Sequence, residues 1–120
     1  MKIAFSTSGG DLNAPLDTRF GRAAKFLVYD TETKQSTIVD NAQNLAAAQG
    51  AGIQSAQAVA AAGAQALVSG HCGPKAFRVL DAAGVAVYTS DAATVGEALA
   101  LFQSGKLERP SGADVEGHWA

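Results

Sequence analysis

The chain has 120 residues, nine Lys and Arg against eleven Asp and Glu, and 48% hydrophobic side chains. That is enough for the core of one domain, and 17% charged residues without a long charge run exclude a disordered chain. A net charge of -2 excludes a global footprint for nucleic acid or an anionic membrane, so any anion site must be local. The lone Cys72 excludes an internal disulfide and a Cys-rich zinc site, and points to a reducing cytosol. No apolar run is long enough to span a membrane. Met1 to Phe5 leads directly into a strand pattern, so a secretory signal is not expected.

Lys2 to Ser8 reads as a first strand, stopped by Gly9-Gly10. A long loop to Arg22 follows, with Pro15 and with Arg19 and Arg22 flanking Phe20-Gly21; loops of this length in a small domain tend to carry function. Ala24 to Asp30 and Gln35 to Asp40 form a hairpin around the polar turn Thr31–Lys34. Asn41 to Gly50 is a polar, Ala-rich connection. Ile53 to Ala62 is a helix ended by Gly63, and Ala64 to Ser69 a buried strand. Gly70-His71-Cys72-Gly73 is a tight loop. Pro74 opens a helix that Gly84 closes, with Phe77 and Leu80 toward the sheet. Val85 to Thr89 is the last strand. Thr94 and Glu97 have capping-box spacing, ahead of an apolar stripe of Val95, Ala98, Leu99 and Phe102 on a helix that ends near Gly105. Residues 1–107 are thus one domain, and 108–120 read as a flexible tail.

The order β-β-β-α-β-α-β-α implies an α/β fold of three α/β/α layers, with a mixed five-stranded sheet in the order 3-2-1-4-5 and strand 2 antiparallel. Ribonuclease H has this element order, but Ile3-Ala4-Phe5-Ser6-Thr7 carries none of the carboxylates a two-metal nuclease requires. Nucleotide-binding and hydrolase motifs are absent. In such a sheet, ligands bind beyond the carboxyl ends of the parallel strands. There the loop from Gly9 to Arg22 and the loop Gly70–Pro74 should face each other. They offer Arg19, Arg22, His71 and Lys75, four glycines (Gly9, Gly10, Gly70 and Gly73) for close backbone approach, and the start of a helix. The expectation is an electropositive pocket for a compact anion. Arginine suits a fixed polyanion because its planar donors fork onto two acceptors. Cys72, at a helix start with His71 and Lys75 near it, is expected to have a lowered pKa and to offer a soft thiolate beside the His71 imidazole. The bland alternatives are solvated arginines, an Arg19–Asp17 pair and an inert buried cysteine. His118-Trp119 reads as a free end, or else as a lid over the mouth.

Leu16-Asp-Thr-Arg-Phe-Gly-Arg-Ala23, Gly70-His-Cys-Gly-Pro-Lys-Ala-Phe77 and the ending Thr94-Val-Gly-Glu-Ala-Leu99 resemble the dinitrogenase iron–molybdenum cofactor biosynthesis family over residues 1 to about 107. The resemblance implies a ribonuclease H-like α/β fold and a small, non-enzymatic carrier of metal–sulfur clusters. Some nitrogenase-associated members have a histidine before the Phe-Gly pair where this chain has Arg19, which weakens the expectation that the iron–molybdenum cofactor is coordinated there; the compact single domain with Gly-His-Cys-Gly-Pro resembles instead members that imply a molybdenum–copper–sulfide cluster held without covalent attachment, with the iron–molybdenum cofactor or a precursor as the alternative. The implied contacts are Gly9, Gly10, Arg19, Phe20, Gly21, Arg22, Gly70, His71, Cys72, Gly73, Pro74 and Lys75, with His71 and Cys72 nearest a soft metal. Protein partners in an assembly complex are implied, and neither nucleic acid nor membrane. Two rivals stand beside this: a small redox or transfer enzyme using Cys72 as nucleophile, and a regulatory interaction module.

Overall fold

A computed structural model describes residues 1–41 and 51–107. Its strands are β1 (Lys2–Thr7), β2 (Lys25–Asp30), β3 (Ser36–Asp40), β4 (Ala66–Ser69) and β5 (Ala86–Thr89). Its helices are α1 (Ala51–Ala61), α2 (Pro74–Ala82) and α3 (Val95–Gln103), with a single 3₁₀ turn at Phe20–Arg22. The sheet order is β3-β2-β1-β4-β5, as expected. β1 runs antiparallel to β2 from Lys2↔Asp30 to Thr7↔Lys25, and parallel to β4 from Ile3↔Ala66 to Phe5↔Val68. β4 is parallel to β5. The proposed tail, with His118 and Trp119, lies outside the described residues, as does the connection after Asn41.

Alternation along the strands divides the core between the two sheet faces. Ala4, Phe26, Val28, Leu67 and Val87 share one face with Ala56 and Val59 of α1 and Ala76 and Leu80 of α2. Ile3, Phe5, Leu27, Ala66 and Val68 share the other with Val95, Ala98 and Leu99 of α3. The two helices pack through small residues: a β-carbon added at Gly52 of α1 would be 3.5 Å from Cβ of Ala76 in α2, an ordinary van der Waals contact. Truncating the fully buried Leu80 to alanine removes side-chain volume from such packing, at a cost of about 2–5 kcal/mol.

Helix ends follow local chemistry. Gly63 and Gly84 close α1 and α2 at φ +82° and +80°, backbone angles that side chains with a Cβ rarely adopt. Thr94 Oγ1 accepts the Glu97 N–H at 3.2 Å. Glu97 Oε2 accepts the N–H of Ala93 at 3.1 Å, one residue upstream of the reciprocal capping-box bond. β1 ends at Thr7, one residue short of expectation, because the Thr7 hydroxyl accepts the Gly9 N–H at 3.1 Å and donates to the Pro15 carbonyl at 2.8 Å, turning the chain.

The long loop after β1 is two structures. Residues 9–16 fold back on the start of α3: Leu16 N–H donates to Ala93 O, Val95 N–H to Ala14 O, and Gly96 N–H to Leu12 O at 2.7 Å. Residues 17–22 cross instead to the end of β4 and finish in the 3₁₀ turn. No described helix is long and apolar enough to cross a membrane.

Candidate functional site

The segment carrying both arginines is held by the polar ends of β1 and β4. Asp17 N–H donates to Ser6 O at 2.7 Å, and the Ser6 hydroxyl donates to Asp17 O at 2.8 Å. The Ser6 and Ser69 hydroxyls, both buried, lie 2.9 Å apart. Asp17 Oδ1 accepts the backbone N–H of Arg19 at 2.9 Å, so this carboxylate shapes the turn rather than pairing with the Arg19 guanidinium. Thr18 then passes over Gly70 so closely that a β-carbon there would be 2.6 Å from Thr18 Cα. Phe20 N–H donates to the His71 carbonyl at 3.0 Å, joining the two loops. The Phe20 ring is buried against Phe26, centroids 5.2 Å apart, and anchors the turn while Arg19 and Arg22 stay exposed.

Between the 3₁₀ turn and the starts of α1 and α2 lies an open cleft of about 760 Å³. Arg19, Phe20, Gly21 and Arg22 form one wall, and His71, Gly73, Pro74, Lys75 and Ala76 the other, with Gly52 and Ile53 at the side. Among the described residues its lining holds three permanent cations and a histidine, and no carboxylate. Gly73 caps α2 with no side-chain hydrogen bond, which leaves first-turn amides at the cleft margin. Phe20, Ile53, Pro74 and Ala76 make the remaining surface apolar. The arrangement suits a compact anion with a soft, weakly hydrated surface.

The two loops do meet, but four of the expected contact residues lie off this cleft. Gly9 and Gly10 do not line the cleft: they belong to the half-loop docked on α3, and a β-carbon at Gly9 would be 2.5 Å from Cβ of Ala14. Gly70 does not line it either; it admits Thr18, and borders a separate depression with Thr89, Ser90 and Asp91. Cys72 is 3% exposed, within the cluster containing Phe20, Phe26 and Ala76. Desolvation pushes its thiol from 9.0 up to about 12, the reverse of the expected shift, because burial opposes the thiolate more than a nearby helix start can favour it. The adjacent pair is thereby parted: His71 lines the cleft and Cys72 lies in the core, so they do not form the expected soft-metal pair. A Cys72 nucleophile loses its basis on the same ground. Among the described residues, no three His, Cys, Asp or Glu side chains gather as a ligand set. Gly52, Ile53 and Ala76 were not anticipated; the α1–α2 contact places them, and an Ala-rich helix gives no sign of it in sequence.

The family model described as dinitrogenase iron-molybdenum cofactor matches residues 1–105. This chain belongs to that family. The apo form of the orange protein from Desulfovibrio gigas is 40% identical and superposes with a TM-score of 0.88 over 92% of each chain. A Thermotoga structure described as a putative NifB protein is 37% identical, TM-score 0.79, covering 90% of this chain and 91% of that one. An uncharacterized protein of Methanocaldococcus jannaschii is 34% identical over 91% of each chain. Family membership agrees with the resemblance carried by the Arg-Phe-Gly-Arg and Gly-His-Cys-Gly-Pro segments, which supply both walls of the cleft.

Proposed function

We propose that this chain is a non-enzymatic binding and carrier protein for an anionic, molybdenum-containing metal–sulfur cluster, with a molybdenum–copper–sulfide cluster the favoured cargo. The observation that carries the reading is the cleft whose charged lining, among the described residues, is cationic in a chain of net charge -2. Arg19, Arg22 and Lys75 neutralise the cargo, the backbone N–H groups of Gly73 and Lys75 approach its sulfides, and His71 donates a hydrogen bond or meets a soft metal at the rim. Phe20, Gly21 and Pro74 provide surface without negative charge. With no gathered ligand set among the described residues, capture by charge and shape is favoured over coordination. The orange-protein and family matches support a cluster of this class.

The test is reconstitution. Apoprotein mixed with tetrathiomolybdate and copper should acquire visible charge-transfer absorption that survives gel filtration. Elemental analysis for molybdenum, copper and iron then separates this cargo from the iron–molybdenum cofactor or a precursor. The double variant Arg19→Ala, Arg22→Ala should lose most of the retained colour while keeping its circular dichroism spectrum. A variant as coloured as the parent refutes the electrostatic reading.

A further inference from the structure

Away from the cleft, the sheet ends in β3. It pairs with β2 over five residues, Ser36 to Asp40, and no strand of the described residues pairs with its other side. Ser36, Thr37, Ile38 and Asp40 are exposed, and only Val39 is half-buried. Ile38, at 38% exposure, is one of two large hydrophobic side chains exposed among the described residues. The strand has no bulge, proline or lysine, the usual guards of an edge. The opposite edge differs: Val87 of β5 is buried, and Tyr88 is held edge-on to Phe102 of α3, centroids 5.0 Å apart.

The ladder fixes which backbone groups of β3 face outward. Asn41 N–H donates to Ala24 O, and Asp30 N–H to Gln35 O, at the two ends of the β2–β3 register. Hydrogen-bonded pairs recur every second residue in an antiparallel ladder, so Val39 and Thr37 turn their backbone groups toward β2. Ser36 and Ile38 therefore direct theirs away from the sheet.

We infer that β3 is a self-association edge, where two copies pair antiparallel about a two-fold axis at Ile38 and join their sheets. The register is self-complementary. Ile38 meets Ile38 of the second copy, covering both exposed side chains, in a pair that exchanges two backbone bonds. Ser36 falls opposite Asp40 of the second copy. A five-residue strand pair is smaller than the ~1,200 Å² of a stable complex, so the dimer is weak and concentration-dependent. It leaves the cation-lined cleft untouched and does not depend on the cargo.

Sedimentation equilibrium of the full chain from ~1 μM to ~1 mM spans the range in which so small an interface forms. The weight-average mass should rise from 12.1 kDa toward twice that value. Ile38→Pro deletes an outward N–H and no bond to β2, and Ile38→Lys places like charges opposite each other; both should remain at the monomer mass throughout. Should the proline variant fail to fold, the lysine variant carries the test. Amide exchange provides a second readout: Ser36 and Ile38 should slow as concentration rises, while Thr37 and Val39 stay constant. A wild-type chain still monomeric at the highest concentration overturns the inference. So does a dimer undiminished in the folded variants, or added protection at Thr37 and Val39 instead.

Discussion

Gly70→Ala tests whether the two loops are held in register by direct backbone contact. The added methyl would lie 2.6 Å from Thr18 Cα, 2.8 Å from Thr18 O and 3.0 Å from Thr18 Cβ. Two of those atoms are backbone, so no side-chain rotation relieves the overlap. Thr18 cannot retreat freely either, since Asp17 is bonded to Ser6 and Phe20 to His71. Overpacking of this kind costs about 1–3 kcal/mol. For a 120-residue domain that corresponds to a melting temperature lower by roughly 4–12 °C. Differential scanning calorimetry measures it, with Gly10→Ala as control: nothing lies within 4 Å of a β-carbon there, so the control should melt at or slightly above wild type. Because Arg19 follows Thr18 directly, Gly70→Ala should also weaken retention of a thiomolybdate cargo. A Gly70→Ala protein melting within about 1 °C of the parent would refute the contact argument.

Other perturbations read separate parts of the molecule. Cys72 in the native protein should react with iodoacetamide far more slowly than a free thiol and reach ordinary rates in denaturant; fast native alkylation at neutral pH would restore the discarded nucleophile. Its folded-state pKa is raised, so the stabilisation is complete below pH 9.0 and fades as pH climbs toward about 12, where the unfolded chain alone releases the proton. Urea titrations across that window should show Cys72→Ala with a flatter decline than wild type. Thr94→Ala removes the acceptor of the Glu97 N–H and should cost about 1 kcal/mol, read as a shifted urea midpoint at unchanged slope.

Much of the fold was legible because local signals agreed with it. Gly63 and Gly84 stop helices where a positive φ is needed, Pro74 opens one, and the strand alternation divides Ala4 from Ile3 and Phe5. The site was legible only in outline. Arg19, Arg22 and Lys75 were readable as cations, with His71 beside them, at ends of the sheet that the parallel strands bring together. What escaped depends on contacts between distant residues. The split of the first loop is set by bonds from residues 12–16 to the start of α3, about eighty residues further along. Cys72 and His71 are adjacent just ahead of α2 in sequence, and packing against Phe20 and Ala76 decides which of them enters the core. Gly70 was recognisable as a loop glycine, but Thr18, its reason, was not.

The polar end of the sheet explains how such a site can stand ready without its cargo. Ser6, Thr7 and Ser69 are each buried to within 1% of complete, a costly environment for hydroxyls unless each is paired. Each is paired, and the described residues hold no buried side-chain polar atom without a partner. Their partners on the first loop are backbone atoms of Pro15 and Asp17, the points where that loop divides toward α3 and toward the cleft. Replacing the serines with apolar residues would strengthen the core but release the segment that aims Arg19 and Arg22. A rigid polyanion binds best to cations already in place, since ordering flexible side chains and loops on capture subtracts from affinity. Buried hydroxyls at the strand ends are thus what the proposed carrier role requires of this fold.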